Sequence, residues 1–110
     1  MIYLANGSVF RVFKNSNYTC INNSVFKEKD MSWAAKGLLC CMLSLPENWD
    51  YSIRGLCAIG KESRATIHRL LSELQKFGYL EIKKIYPDKS DTGRIKYEYY
   101  VYECPMNKIH

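Results

Sequence analysis

Between positions 63 and 76 the chain sets Ser63, Arg64, Thr66, His68, Arg69, Ser72 and Lys76 around a row of leucines, a group of side chains suited to a polyanion. Arginine reads guanine through two parallel hydrogen bonds. Serine and threonine reach phosphate oxygens or base edges, and histidine does either. A second set follows in Lys83, Lys84, Lys89, Arg94 and Lys96, against the acids Asp88 and Asp91. Cations at that density neutralise phosphates. The charge balance agrees: 16 Lys/Arg oppose 11 Asp/Glu, a formal +5 at neutral pH. Up to Asp50 there are 5 basic and 4 acidic residues, and from Tyr51 onward 11 and 7, so the excess lies in the half that holds both sets. A pI near 9.0 alone carries little weight, because polar helix faces are ordinarily solvated.

Other chemistries find less material. The histidines are His68 and His110, and neither has a Cys or Asp at metal-ligand spacing. No GxSxG is present, and no cysteine has an obvious base partner. Gly55-Leu56-Cys57-Ala58-Ile59-Gly60-Lys61 spells the start of a phosphate-binding P-loop. The next position must be Ser or Thr to hold magnesium; it is Glu62, which repels phosphate. The expectation is a protein that is not an enzyme and takes no cofactor, metal or small-molecule substrate. Cys20, Cys40, Cys41, Cys57 and Cys104 form no CxxC, and three of them sit in apolar runs, so they read as small hydrophobes of a reducing compartment. The first six residues lack a basic flank and a signal-peptide core, and no 18-residue apolar run exists, so the expected location is cytoplasmic, away from membranes.

The elements that position the two basic sets follow from periodicity. Ile67, Leu70, Leu71, Leu74 and Phe77 make one stripe at helical spacing, with Ser63 as N-cap and Gly78 as stop, which predicts a helix over 64–77. Ser52 caps a shorter helix over 53–59, with Ile53, Leu56, Cys57 and Ile59 inward, broken by Gly60-Lys61-Glu62. An earlier helix begins after Ser32 and ends before Pro46. Its inner face is read as Met31, Ala34, Ala35, Leu38, Cys41, Met42 and Leu45, leaving Trp33, Cys40 and Leu43 for a second cover: the N-terminal arm or a partner subunit. Gly37 inside it suggests a close backbone approach.

After Gly78 the period changes to two. Strands over 80–86 and 94–103 form a hairpin, with Tyr97 and Tyr99 on the helices and Tyr100 and Tyr102 outside. Those tyrosines also offer a stacking platform for single-stranded nucleic acid. At the other end, Asn6-Gly7 between apolar runs predicts a small hairpin, Tyr18 to Ile21 a short strand, and Ser24-Val25-Phe26 one helical turn.

The expected fold is therefore α+β: a winged helix-turn-helix with a three-helix core and a C-terminal β-hairpin wing, preceded by an extended arm or hairpin. The divisions are an arm over 1–19, the DNA-binding domain over 20–103 and a polar tail over 104–110.

The stretch Ile21-Asn22-Asn23-Ser24-Val25-Phe26, then Met31-Ser32-Trp33-Ala34-Ala35-Lys36-Gly37-Leu38-Leu39 and Leu43-Ser44-Leu45-Pro46-Glu47-Asn48-Trp49, resembles the N-terminal winged-helix domain of phage replisome organisers and related plasmid or DnaD-like replication proteins. Ser63 to Leu74 with Phe77-Gly78-Tyr79-Leu80 looks like the recognition helix and first wing strand of many bacterial regulators. The resemblance implies double-stranded DNA binding in replication initiation, contacts by Arg64, Thr66, His68 and Arg69, and self-association through the region before the first helix. The helical domain that replication organisers usually carry in addition has no counterpart here. A transcriptional regulator of the same fold is the nearest alternative. A protein-interaction module that pairs through the Trp33, Cys40 and Leu43 face is the alternative of another class.

Overall fold

The computed structural model describes residues 2–3, 9–10, 17–46, 48–49, 51–87 and 95–105. Two short strands, β1 (Ile2–Tyr3) and β2 (Val9–Phe10), pair antiparallel with Ile2 opposite Phe10 and Tyr3 opposite Val9. The Asn6-Gly7 turn expected between them lies outside the described residues, as do Lys89 and Arg94. A 3₁₀ turn covers Asn23–Lys27, where the Asn22 side chain accepts from the Ser24 N–H at 2.9 Å. No strand forms between Tyr18 and Ile21; those residues are irregular, and Asn17 ahead of them has φ 67°.

Three α-helices follow: α1 (Trp33–Ser44), α2 (Ile53–Ala58) and α3 (Arg64–Lys76). Each starts at a serine whose hydroxyl accepts a backbone N–H three residues on, at 3.1 Å for Ser32, 2.9 Å for Ser52 and 3.2 Å for Ser63. These bonds satisfy donors that the first helical turn leaves free. The hairpin β3 (Leu80–Ile85) and β4 (Lys96–Val101) completes an α+β architecture of three helices and an antiparallel two-stranded sheet. Register runs from Leu80 opposite Val101 to Ile85 opposite Lys96. The arrangement is compatible with a winged helix.

The core joins the α3 stripe (Ile67, Leu70, Leu71, Leu74) to Ala35, Leu39 and Met42 from α1, Met31 just before it, Leu56 from α2, Val25, Tyr79 and Leu80. The inner face of α1 is rotated from the expected one. Ala34 and Cys41 are exposed, while Leu39 is fully buried and Leu38 and Leu45 are half-buried. Lys36 is 7% exposed: its alkyl stem enters the core margin and its ammonium sits 5.0 Å from the Trp33 ring centre. Trp33 has no second cover among the described residues and is 83% exposed, whereas Cys40 and Leu43 are half-buried. Gly37 faces open space, with nothing within 4 Å of where a Cβ would stand. The close approach occurs instead at Gly55, where a Cβ would meet the Trp49 ring and Ser52 Oγ, each at 3.1 Å. Ile59, expected inward, is exposed because the chain leaves the helix there, with φ −100° and ψ 3°.

Helix α3 ends at Gly78, with φ 85°. The Gly78 N–H donates to the Gln75 carbonyl at 3.1 Å and the Tyr79 N–H to the Leu74 carbonyl at 3.0 Å, the paired bonds of a Schellman stop. Tyr79 then fixes the hairpin. Its carbonyl accepts from the Tyr102 N–H at 2.9 Å, and its buried hydroxyl lies 3.2 Å from Ser24 Oγ, which donates to the Glu103 carbonyl at 3.1 Å.

Candidate nucleic-acid interface

The buried stripe of α3 faces the core, and its other side faces solvent. Arg64, Ala65, His68, Arg69, Ser72, Gln75 and Lys76 are exposed, and Thr66 is half-buried. Arg64, Arg69 and Lys76 thus present three cations on a face with no exposed carboxylate. The single acid of the helix, Glu73, turns toward α1, where its carboxylate accepts from Ser32. None of the three cations is within ion-pair distance of a carboxylate among the described residues.

The hydroxyls on this face have local partners. Ser63 Oγ caps the helix and lies 3.0 Å from Thr66 Oγ1, and Ser72 Oγ donates back to the His68 carbonyl at 3.1 Å. Ser63 and Ser72 remain exposed, so each keeps an oxygen lone pair toward solvent.

The hairpin divides its cations. Lys83 lies on the outer face, 3.5 Å from Glu81 and 4.9 Å from the Tyr100 ring centre. Lys84 sits 5.2 Å from the Tyr86 ring centre. Lys96 shares the sheet face of Lys83 by register, but it lies at the far end of the strand pair and lines a groove of about 870 Å³ between α3 and the hairpin. Arg64, His68, Ser72 and Gln75 form its helix wall, with Tyr97 and Tyr99 opposite. The structure therefore brings together Arg64, His68, Ser72 and Lys96 of the expected set. Lys83 stands apart from them.

Arg54, Tyr51 and Gln75 also line this groove, although the sequence reading does not single them out. Arg54 is exposed in the first turn of α2. Its signal is present in the sequence, because the Ser52 cap and the buried Leu56 fix the outward side of the short helix.

The aromatic wall is ordered from the core outward. Trp49 meets Tyr51 edge to face at 4.9 Å, and Tyr51 stacks on Tyr99 at 5.7 Å with 16° between the rings. The Tyr51 hydroxyl donates to the Met42 carbonyl at 2.6 Å. Burial raises the Tyr51 and Tyr99 pKa values above the ordinary tyrosine range, with smaller contributions from Cys41 and Tyr97 respectively, so both rings stay neutral at physiological pH. Tyr97, expected on the helices, is 57% exposed, whereas Tyr99, two residues on, packs under Tyr51 at the margin of the core. On the outer face the Tyr100 hydroxyl donates to Glu98 at 2.5 Å, and that bond raises the Tyr100 pKa.

No helix among the described residues is long and apolar enough to cross a membrane. Compared with protein-family models, curated proteins and solved structures, the chain gives no match.

Proposed function

We propose that this chain binds double-stranded DNA as a winged helix-turn-helix, with α3 in the major groove and the β3–β4 hairpin along the adjacent backbone. The carrying observation is the exposed face of α3: Arg64, Arg69 and Lys76 without a competing carboxylate, bordered by His68 and Ser72. A helix with one buried stripe and one cationic side offers base-edge readers and phosphate neutralisers together. Arg54 and Lys96 extend the positive surface into the groove beside α3. The likeness of the α1 segment to replisome organisers supports a role in phage or plasmid replication initiation.

Fluorescence anisotropy with a labelled duplex at two salt concentrations tests the reading. Affinity falls as salt rises. Arg64→Ala and Arg69→Ala each weaken binding and reduce the log–log salt slope by about 1 for each phosphate no longer neutralised. Lys83→Ala, on the outer face, changes binding little. Binding too weak to detect at low salt, or unaltered by both arginine variants, overturns the proposal.

A second reading follows from Trp33, whose 83% exposure on α1 suits a contact with another protein or a second copy of this chain. It predicts concentration-dependent association that Trp33→Arg abolishes.

A further inference from the structure

We infer that the groove between α3 and the hairpin holds an unpaired nucleotide, its base against Tyr97 and its phosphate toward Arg64 and Lys96. The inference rests on the duplex-binding reading and extends it to the point where one strand leaves the double helix. Tyr97 is the first ground. Tyr99, two residues on, has Tyr51 stacked on it at 5.7 Å, whereas Tyr97 has no ring or cation partner among the described residues and is 57% exposed. A half-exposed ring beside a groove is a surface on which any base can stack.

Charge is the second ground. Among the described residues, Arg54, Arg64 and Lys96 line the groove, with Glu98 as the single carboxylate, and the Tyr100 hydroxyl engages that carboxylate. The remaining balance favours a phosphate. Size is the third. About 870 Å³ admits a nucleotide or two but not a duplex, which α3 would instead meet along its exposed face. An unpaired base with its phosphate matches the aromatic wall and the cationic wall together.

Such a nucleotide comes either from a single-stranded overhang or from a free mononucleotide. The test compares a blunt duplex, the same duplex with a short overhang, and AMP, using the whole chain. The overhang duplex binds more tightly than the blunt one, or AMP binds saturably. Tyr97→Ala reduces that gain by roughly 5- to 150-fold, the range of one base–aromatic stack. Tyr97→Phe keeps it, and blunt-duplex affinity stays the same in both variants. An overhang gain without AMP binding assigns the strand as the source; AMP binding that Tyr97→Ala abolishes assigns the free nucleotide. Equal affinity for blunt and overhang duplexes with no AMP binding overturns the inference. So does a Tyr97→Ala effect of the same size on blunt duplex. Failure of blunt-duplex binding with the Tyr97-dependent gain intact rejects the duplex reading and leaves the groove assignment standing.

Discussion

Glu73 holds both polar groups of Ser32: one carboxylate oxygen accepts the Ser32 backbone N–H at 2.5 Å and the other accepts its hydroxyl at 2.9 Å. Ser32 in turn caps α1 through the Ala35 N–H. An acid that would repel DNA on the outer face of α3 thereby stays on the inner side and joins two helices. Glu73→Ala leaves the Ser32 N–H without its acceptor and removes charge-assisted bonds, with an expected loss of about 1.5–3 kcal/mol. Urea denaturation measures it, and an unchanged midpoint would show that the pairing adds nothing. Glu73→Gln, which keeps one acceptor oxygen, loses less.

Two glycines give opposite results on the same substitution. Gly37 sits mid-helix with open space where a side chain would stand, so Gly37→Ala stabilises by about 0.5–1 kcal/mol. Gly78 has φ 85°, where a Cβ is strained, so Gly78→Ala destabilises by about 1–2 kcal/mol. Thermal melts of the two variants decide the matter; a fall for Gly37→Ala would mean that a partner packs against that face.

The buried Tyr79 hydroxyl predicts a loss of stability in alkali. Burial raises its pKa above 10.0; the Ser24 hydrogen bond opposes this, and Glu28 and Cys104 add to it. A raised folded-state value means that the unfolded chain releases its proton first. The contribution is therefore complete below the unfolded value near 10 and is lost as pH rises through the folded value. Tyr51 and Tyr99 add in the same direction. Tyr79→Phe costs about 0.5–1.5 kcal/mol at neutral pH and makes the alkaline decline shallower. Denaturation at pH 8 and above pH 10 checks both parts.

Trp33→Arg leaves the stability of the monomer nearly unchanged, within about 0.5 kcal/mol, because the indole is mostly in water. Sedimentation of the wild type and the variant shows whether this ring joins two chains. A variant that fails to fold would place Trp33 in the core.

The parts of the fold that are legible in sequence are those where pattern and packing coincide. The α3 stripe has polar residues on all other sides, so its inner face is unambiguous, and Ser63 and Gly78 mark its ends. Helix α1 is apolar almost all round, so its period carries little information about which side is inner. Leu39 takes the place expected for Cys41 there, and the stem of Lys36 enters the margin of the core. Alternation places Tyr97 and Tyr99 on one strand face, but it does not report that Tyr51 stacks over Tyr99 and stops short of Tyr97. That boundary makes Tyr99 part of the packed layer and Tyr97 a surface residue. Arg54 has its signal in the Ser52 cap and Leu56, which fix the outward side of α2 without a longer periodic stripe.

Tyr79 belongs to two junctions at once. It completes the turn that stops α3, and it ties down the base of the hairpin through Tyr102 and Ser24. Rotation of the β-finger about its root would break those ties together, so the width of the opening beside α3 is preset like the jaw of a caliper. Under the proposed reading, an unpaired base that enters this opening meets a width set beforehand at one tyrosine rather than one that closes around it.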